Sequence, residues 1–230
     1  SGNDTDSSVD AYYAYGIYMN NDSDIGSFTN TGSITASATA IHSGGDSAQA
    51  GYAYGLYFTS VDVSGNFTNS GTISGTASAS ATQGSGTSVT ASYGHGIYFN
   101  DVDLGGDISN SGTITGSATA TNAHSNTEYN VTAQYAYGWL MTGGNVADSF
   151  TNTATGTISA TATSTHTGEY DAFAYYVYGM DITNTSITGA FTNDGSITAT
   201  MTVSQNGTSS GSAIGSSIYG IYAHNNTDLG

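Results

Sequence analysis

The sequence predicts an all-β fold: a parallel β-solenoid (β-helix) with about 41 residues per repeat and five and a half repeats, forming one domain over residues 1–230. Three observations carry this prediction. Lys and Arg are absent and Glu occurs only at Glu128 and Glu169, so most strong helix formers are missing, whereas Thr, Tyr, Val, Ile and Phe are plentiful. Two independent motifs recur with one period. Between them the residues alternate strictly, as on a half-buried strand.

The first motif, Tyr-Gly-apolar, centres on Gly16, Gly55, Gly96, Gly138, Gly179 and Gly220, in steps of 39, 41, 42, 41 and 41 residues. Its partner, Phe-Thr-Asn-x-Gly-x-Ile, centres on Asn30, Asn69, Asn110, Asn152 and Asn193 and keeps the same steps. Each unit therefore reads as a strand A, "SFTNTGSITASATAI", and a strand B, "GYAYGLYF". Loops rich in Gly, Asp and Ser, such as "HSGGDSAQA" and "TSVDVSG", join them. One face of the first strand A carries Phe28, Asn30, Gly32, Ile34, Ala36, Ala38 and Ala40; the other carries only Ser and Thr. The fourth copy inserts two residues near 154–157, an even number that leaves the faces uninverted.

Stacked one coil apart, at roughly 4.8 Å, identical positions become columns. The five motif asparagines are then placed to link their side-chain amides. Strand B reads as one bulky face, Tyr52, Tyr54, Leu56 and Phe58, opposite a face of small residues around the motif glycine and then, in most copies, a tyrosine (Tyr18, Tyr57, Tyr98, Tyr222). The expected core lays that bulky face over the Ala and Gly of strand A.

The wording "GNFTNSGTISG" resembles the repeats of bacterial β-helical surface proteins, such as the passenger regions of autotransporter adhesins. That resemblance implies an extracellular or cell-surface β-solenoid. It extends over all five copies of strand A, although no membrane-barrel segment accompanies them here.

The formal charge is -17, with 17 acids and no Lys or Arg. Nothing can neutralise phosphate, which excludes direct nucleic-acid binding and anionic membrane surfaces. No apolar run approaches the roughly 20 residues of a spanning helix, so membrane insertion is not expected. Motif B occurs six times and motif A five, and no Lys, Pro or capping segment blocks the outermost strands. Head-to-tail self-association of open solenoid ends is the expectation, with a fragment of a longer array as the alternative.

Site chemistry is sparse. Asp22, Asp24, Asp101, Asp103 and Asp107 lie in oxygen-rich loops that suit Ca²⁺, although turn capping explains the same residues and no EF-hand spacing is present. Asp4 and Asp6 form a further pair. His42, His124 and His166 follow the ends of strands A, and His95 replaces a Tyr of strand B; neither arrangement supplies a zinc set. With no cationic side chain, no Cys and no acid cluster on a strand face, an enzyme is not expected. The leading functional expectation is a structural subunit of an extracellular fibre or surface matrix, polymerising with itself. The alternatives are a glycan-binding adhesin and an ice-binding face of Ser and Thr.

Overall fold

The computed structural model describes residues 8–43, 47–82, 88–124, 129–207, 211–225 and 227–229, with the backbone alone for 21–23. The Asp4/Asp6 pair and Glu128 fall outside these residues, as does the side chain of Asp22. The chain begins with β1 (Ser8–Ile25), β2 (Phe28–Asn30) and β3 (Ser33–His42). The pattern then repeats as β4 (Ser47–Val63), β5 (Phe67–Asn69), β6 (Thr72–Ala81), and again as β7 (Ser88–Leu104), β8 (Ile108–Asn110), β9 (Thr113–Asn122). The next coil holds β10 (Val131–Thr142), β11 (Asn145–Val146), β12 (Phe150–Asn152) and β13 (Thr157–His166). After it come β14 (Ala172–Thr183), β15 (Ser186–Ile187), β16 (Phe191–Asn193), β17 (Ser196–Gln205) and finally β18 (Ala213–His224).

Every pairing between these strands is parallel and joins equivalent positions of successive coils. The result is a parallel β-solenoid with three sheets. A long sheet runs β1-β4-β7-β10-β14-β18, with β11 and β15 attached; two others run β2-β5-β8-β12-β16 and β3-β6-β9-β13-β17. Strand A of the sequence is thus two strands. It breaks after each motif asparagine, where Gly32 N–H donates to Asn30 Oδ1 at 3.2 Å and turns the chain. The two-residue insertion is absorbed at this corner: Asn152 pairs with Asn110 and Thr157 with Thr113, so Ile158 still lies over Ile114.

The core divides by side-chain size. One half holds Leu56, Phe58, Phe67, Ile73, Ile97, Phe99, Trp139 and Phe150, with aromatic edges meeting faces, as Phe99 does against Trp139 at 5.5 Å. The other half is almost pure alanine: Ala48, Ala50 and Ala53 of β4 pack with Ala38, Ala40, Ala77 and Ala79. This corrects the expectation that Tyr52 and Tyr54 share a face with Leu56 and Phe58. Inward positions on β4 run Ala50, Ala53, Leu56, Phe58, and the steps of three reverse the alternation. The ladder skips Gly51 and Gly55 at those two points. The backbone is therefore irregular in the same place in every coil, and the tyrosines face outward.

Gly96 shows why a glycine sits at the second irregularity. A Cβ there would meet Gly138 O at 2.5 Å and Ile114 Cγ2 at 2.7 Å, both from neighbouring rungs or the facing sheet. Gly96→Ala is expected to lower stability by about 1–3 kcal/mol through overpacking. Gly32→Ala, where an added Cβ meets nothing within 4 Å, is the control and should change stability far less. The fluorescence of the buried Trp139, the sole tryptophan, followed against urea reads both.

Candidate functional site

Three features remain after the core is accounted for: a buried amide ladder, an outer tyrosine wall, and two uncovered edges. The amide ladder runs the length of the solenoid. Asn30 Nδ2 donates to Asn69 Oδ1, Asn69 to Asn110, Asn110 to Asn152 and Asn152 to Asn193, each at 2.8 Å. All donors point towards the β16 end, so the ladder is polar. At its last rung Asn193 Nδ2 has no acceptor among the described residues, while at the first rung Asn30 Oδ1 receives only the 3.2 Å bond from Gly32.

Tyrosines cover the outer face of the long sheet in three columns. The first stacks Tyr13, Tyr52, Tyr93, Tyr135 and Tyr176 at centroid spacings of 5.0, 4.6, 4.7 and 5.4 Å. A second runs Tyr15, Tyr54, His95, Tyr137, Tyr178 and Tyr219 at 5.4, 4.8, 4.8, 5.0 and 5.3 Å. Tyr18, Tyr57 and Tyr98 form the third, which Leu140 and Asp181 interrupt before Tyr222. Interplanar angles within the first column stay between 2° and 13°, so the inner rings, Tyr52, Tyr93 and Tyr135, spend both faces on their own neighbours and show solvent an edge.

Burial in this wall raises the phenol pKa values of Tyr54 and Tyr137 well above the ordinary range, with neighbouring phenols adding to it and, for Tyr137, the Asp181 carboxylate. Tyr178 is pushed up to about 12 by burial first and then by Asp181. His95 lies between Tyr54 and Tyr137 with Nδ1 unpartnered, and burial lowers its pKa to about 3. Asp181 fills a tyrosine position beside His224, 3.3 Å away, and accepts from Thr183; burial raises its pKa against the pull of His224.

Two of the acidic candidates have a capping role. Asp103 Oδ1 accepts from Asn145 N–H at 2.8 Å, and Asp107 Oδ1 from Ser149 N–H at 3.1 Å, each capping the next coil. Asp101 has φ 55°, at a corner shared by Ser60, Gly143, Asn184 and Asn225, all with positive φ. Small polar residues and Gly tolerate that conformation. Asp24 falls in one column with Asp62 and Asp103. Among the described residues, no three acids or histidines stand close enough to hold a metal ion. His166 is likewise engaged: Gly168 N–H donates to Nδ1, which leaves Nε2 to donate to Tyr129 O at 2.9 Å. His166 pairs with Asn122, so His124 lies two residues out of register with it.

At the edges, the described residues place no strand beyond β1, β2 and β3 on one side or β16, β17 and β18 on the other. Core residues of the outermost rungs, such as Ile17, Phe28, Phe191 and Ile197, are only partly buried, whereas their equivalents in the middle are fully enclosed. The sequence had suggested open edges through its motif counts. It placed Tyr18, Tyr57, Tyr98 and Tyr222 opposite the bulky face of strand B, and missed that Tyr52 and Tyr54 turn to the same outer side. No protein-family pattern matches the chain, and neither a curated protein nor a solved structure is significantly similar to it.

Two measurements test these ladders. Asn110→Ala strands the Asn69 donor and the Asn152 acceptor in the core and should cost about 1–3 kcal/mol for each stranded group. The pH profile follows from the tyrosines and His95. A neutral phenol is favoured in the folded protein, so stability is full below about pH 10 and falls as pH rises towards 12. Neutral His95 is favoured too, so stability is full above about pH 6.5 and falls as pH drops towards 3. Urea midpoints across this range should show both losses, and His95→Tyr should relieve part of the acid loss alone.

Proposed function

We propose that the protein is a structural subunit of an extracellular or cell-surface fibre, extended by edge-to-edge association of solenoids. The observation that carries this reading is the state of the two edges. Backbone pairing, the amide ladder and the apolar core columns run to both, one aromatic column spans the long sheet from Tyr15 through His95 to Tyr219, and the outermost rungs leave core residues partly exposed. An edge of this kind is a template for another strand. Among the described residues no group of three acids or histidines is placed to hold a metal ion.

The amide ladder also supports a direction. Its donor end and acceptor end differ chemically, which favours a head-to-tail contact over a head-to-head one. A glycan-binding surface has less support, because sugars stack on ring faces and the tyrosines along the wall use theirs on one another. The outer Ser/Thr face mixes the two residues within a column, as in Thr35, Ser74, Thr115 and Ser159, which argues against an ice-matching array.

Electron microscopy of the purified chain near neutral pH tests the reading. Unbranched filaments are expected, promoted by added salt because each copy carries a formal charge of -17. Monodisperse monomers across salt concentrations would overturn it.

A further inference from the structure

The two ends of the solenoid do not match by simple stacking. Along the axis, the long sheet has six strands in its main path against five in each of the other two sheets. β18 therefore overhangs β16 and β17 by one rung. Its inward residues Ile218 and Ile221 are 49% and 41% exposed, although the residues beneath them, Val177 and Met180, are fully buried. A copy placed with its β1 directly on β18 leaves a one-strand gap beside β17. Closing that gap brings the incoming β1 and β18 into the same slot.

The sequence indicates how that conflict resolves. Tyr-Gly-Ile-Tyr occurs twice in the chain, at 15–18 in β1 and at 219–222 in β18. At the same offset, Asn21 corresponds to Asn225, Asp24 to Asp228, Ile25 to Leu229 and Gly26 to Gly230. Strand register places the pairs alike. Tyr15 and Tyr18 stack on Tyr54 and Tyr57, and Tyr219 and Tyr222 occupy those same two columns. The last residues continue the match, since Asp228 bridges Ser186 just as Asp24 pairs with Asp62.

We infer that subunits join by strand exchange: β18 of one copy replaces β1 of the next and pairs with its β4. This rests on the fibre reading above and specifies its contact. With β1 displaced, β16 and β17 of the first copy meet β2 and β3 of the second in register. The gain is then two complete new strand pairs at no loss of pairing in the long sheet. Asn193 Nδ2 finds the Asn30 Oδ1 of the next copy; Ile221, the register partner of Met180, is covered by its Ile34 column, and Ile218, the partner of Val177, by its Ala36 and Ala38. β1 suits displacement because it is an edge strand, bonded on one side only. Its exit point is Gly26, where an added Cβ would meet nothing within 4 Å.

A disulfide staple tests the exchange in the intact chain, which has no cysteine of its own. Asp10 and Gln49 are exposed register partners on β1 and β4, at a strand spacing that a disulfide spans. Asp10→Cys with Gln49→Cys locks β1 when oxidised. The control, Thr76→Cys with Ser117→Cys, staples β6 to β9 and leaves β1 free. Elongation of the first variant should fall at least about tenfold on oxidation and return with reductant, and the control should elongate equally in both states. Equal elongation of the first variant in both states overturns strand exchange while leaving the fibre reading intact. Absence of filaments from the unsubstituted protein and both variants overturns the two together. The axial repeat gives a second readout: about 24 Å per subunit for five shared rungs, where about 29 Å denotes six stacked strands and no exchange.

Discussion

Everything in this protein follows from parallel strands held in register one rung apart. Backbone hydrogen bonds along the axis set the spacing, and the register sets each side chain over its own equivalent. Any residue type admitted to a column must tolerate itself at about 4.8 Å. Charge meets it only at a cost, since like charges directly opposite repel, as in the column of Asp24, Asp62 and Asp103. Amides, hydroxyls, phenols and methyl groups pass it, and these make up most of the chain. Some of the acids sit near corners, where Asp103 and Asp107 cap amides of the next coil, while Asp181 takes a tyrosine position on the wall beside His224.

The same spacing explains how a chain so poor in large aliphatics holds together. Alanine and glycine let the long sheet approach the facing strands closely at one side, and Leu, Ile, Phe and Trp139 fill the wider side. Tyrosine is left to the outer surface, where stacked rings shield one another and the hydroxyls reach solvent. Burial among neighbours raises the pKa values of Tyr54, Tyr137 and Tyr178, which favours their neutral phenols in the folded protein. The Asn ladder does the corresponding work inside: it satisfies a polar group at each corner without placing a charge there.

A structure built this way has no natural stopping point along its axis. Each interaction that seats one coil on the next is also what an exposed edge presents to another chain, which is why the functional reading centres on the edges. The proposed strand exchange rests on the unequal strand numbers of the three sheets, six in the main path of the long sheet against five in each of the others.

Much of this was legible in the residues. The period, the parallel solenoid class, the Asn column and the Ala-rich face all follow from repetition and alternation, because in-register stacking maps sequence periodicity directly onto columns. The division of strand A at Gly32 and the outward turn of Tyr52 and Tyr54 did not follow. Both depend on backbone irregularities, and a single irregularity inverts every face assignment beyond it. Gly51 and Gly55 marked the places but not the sense of the reversal. The sequence by itself determined that like residues stack on like. Only the tertiary structure decided which of them face the core and how many strands each edge presents, since both depend on where three sheets close around one interior.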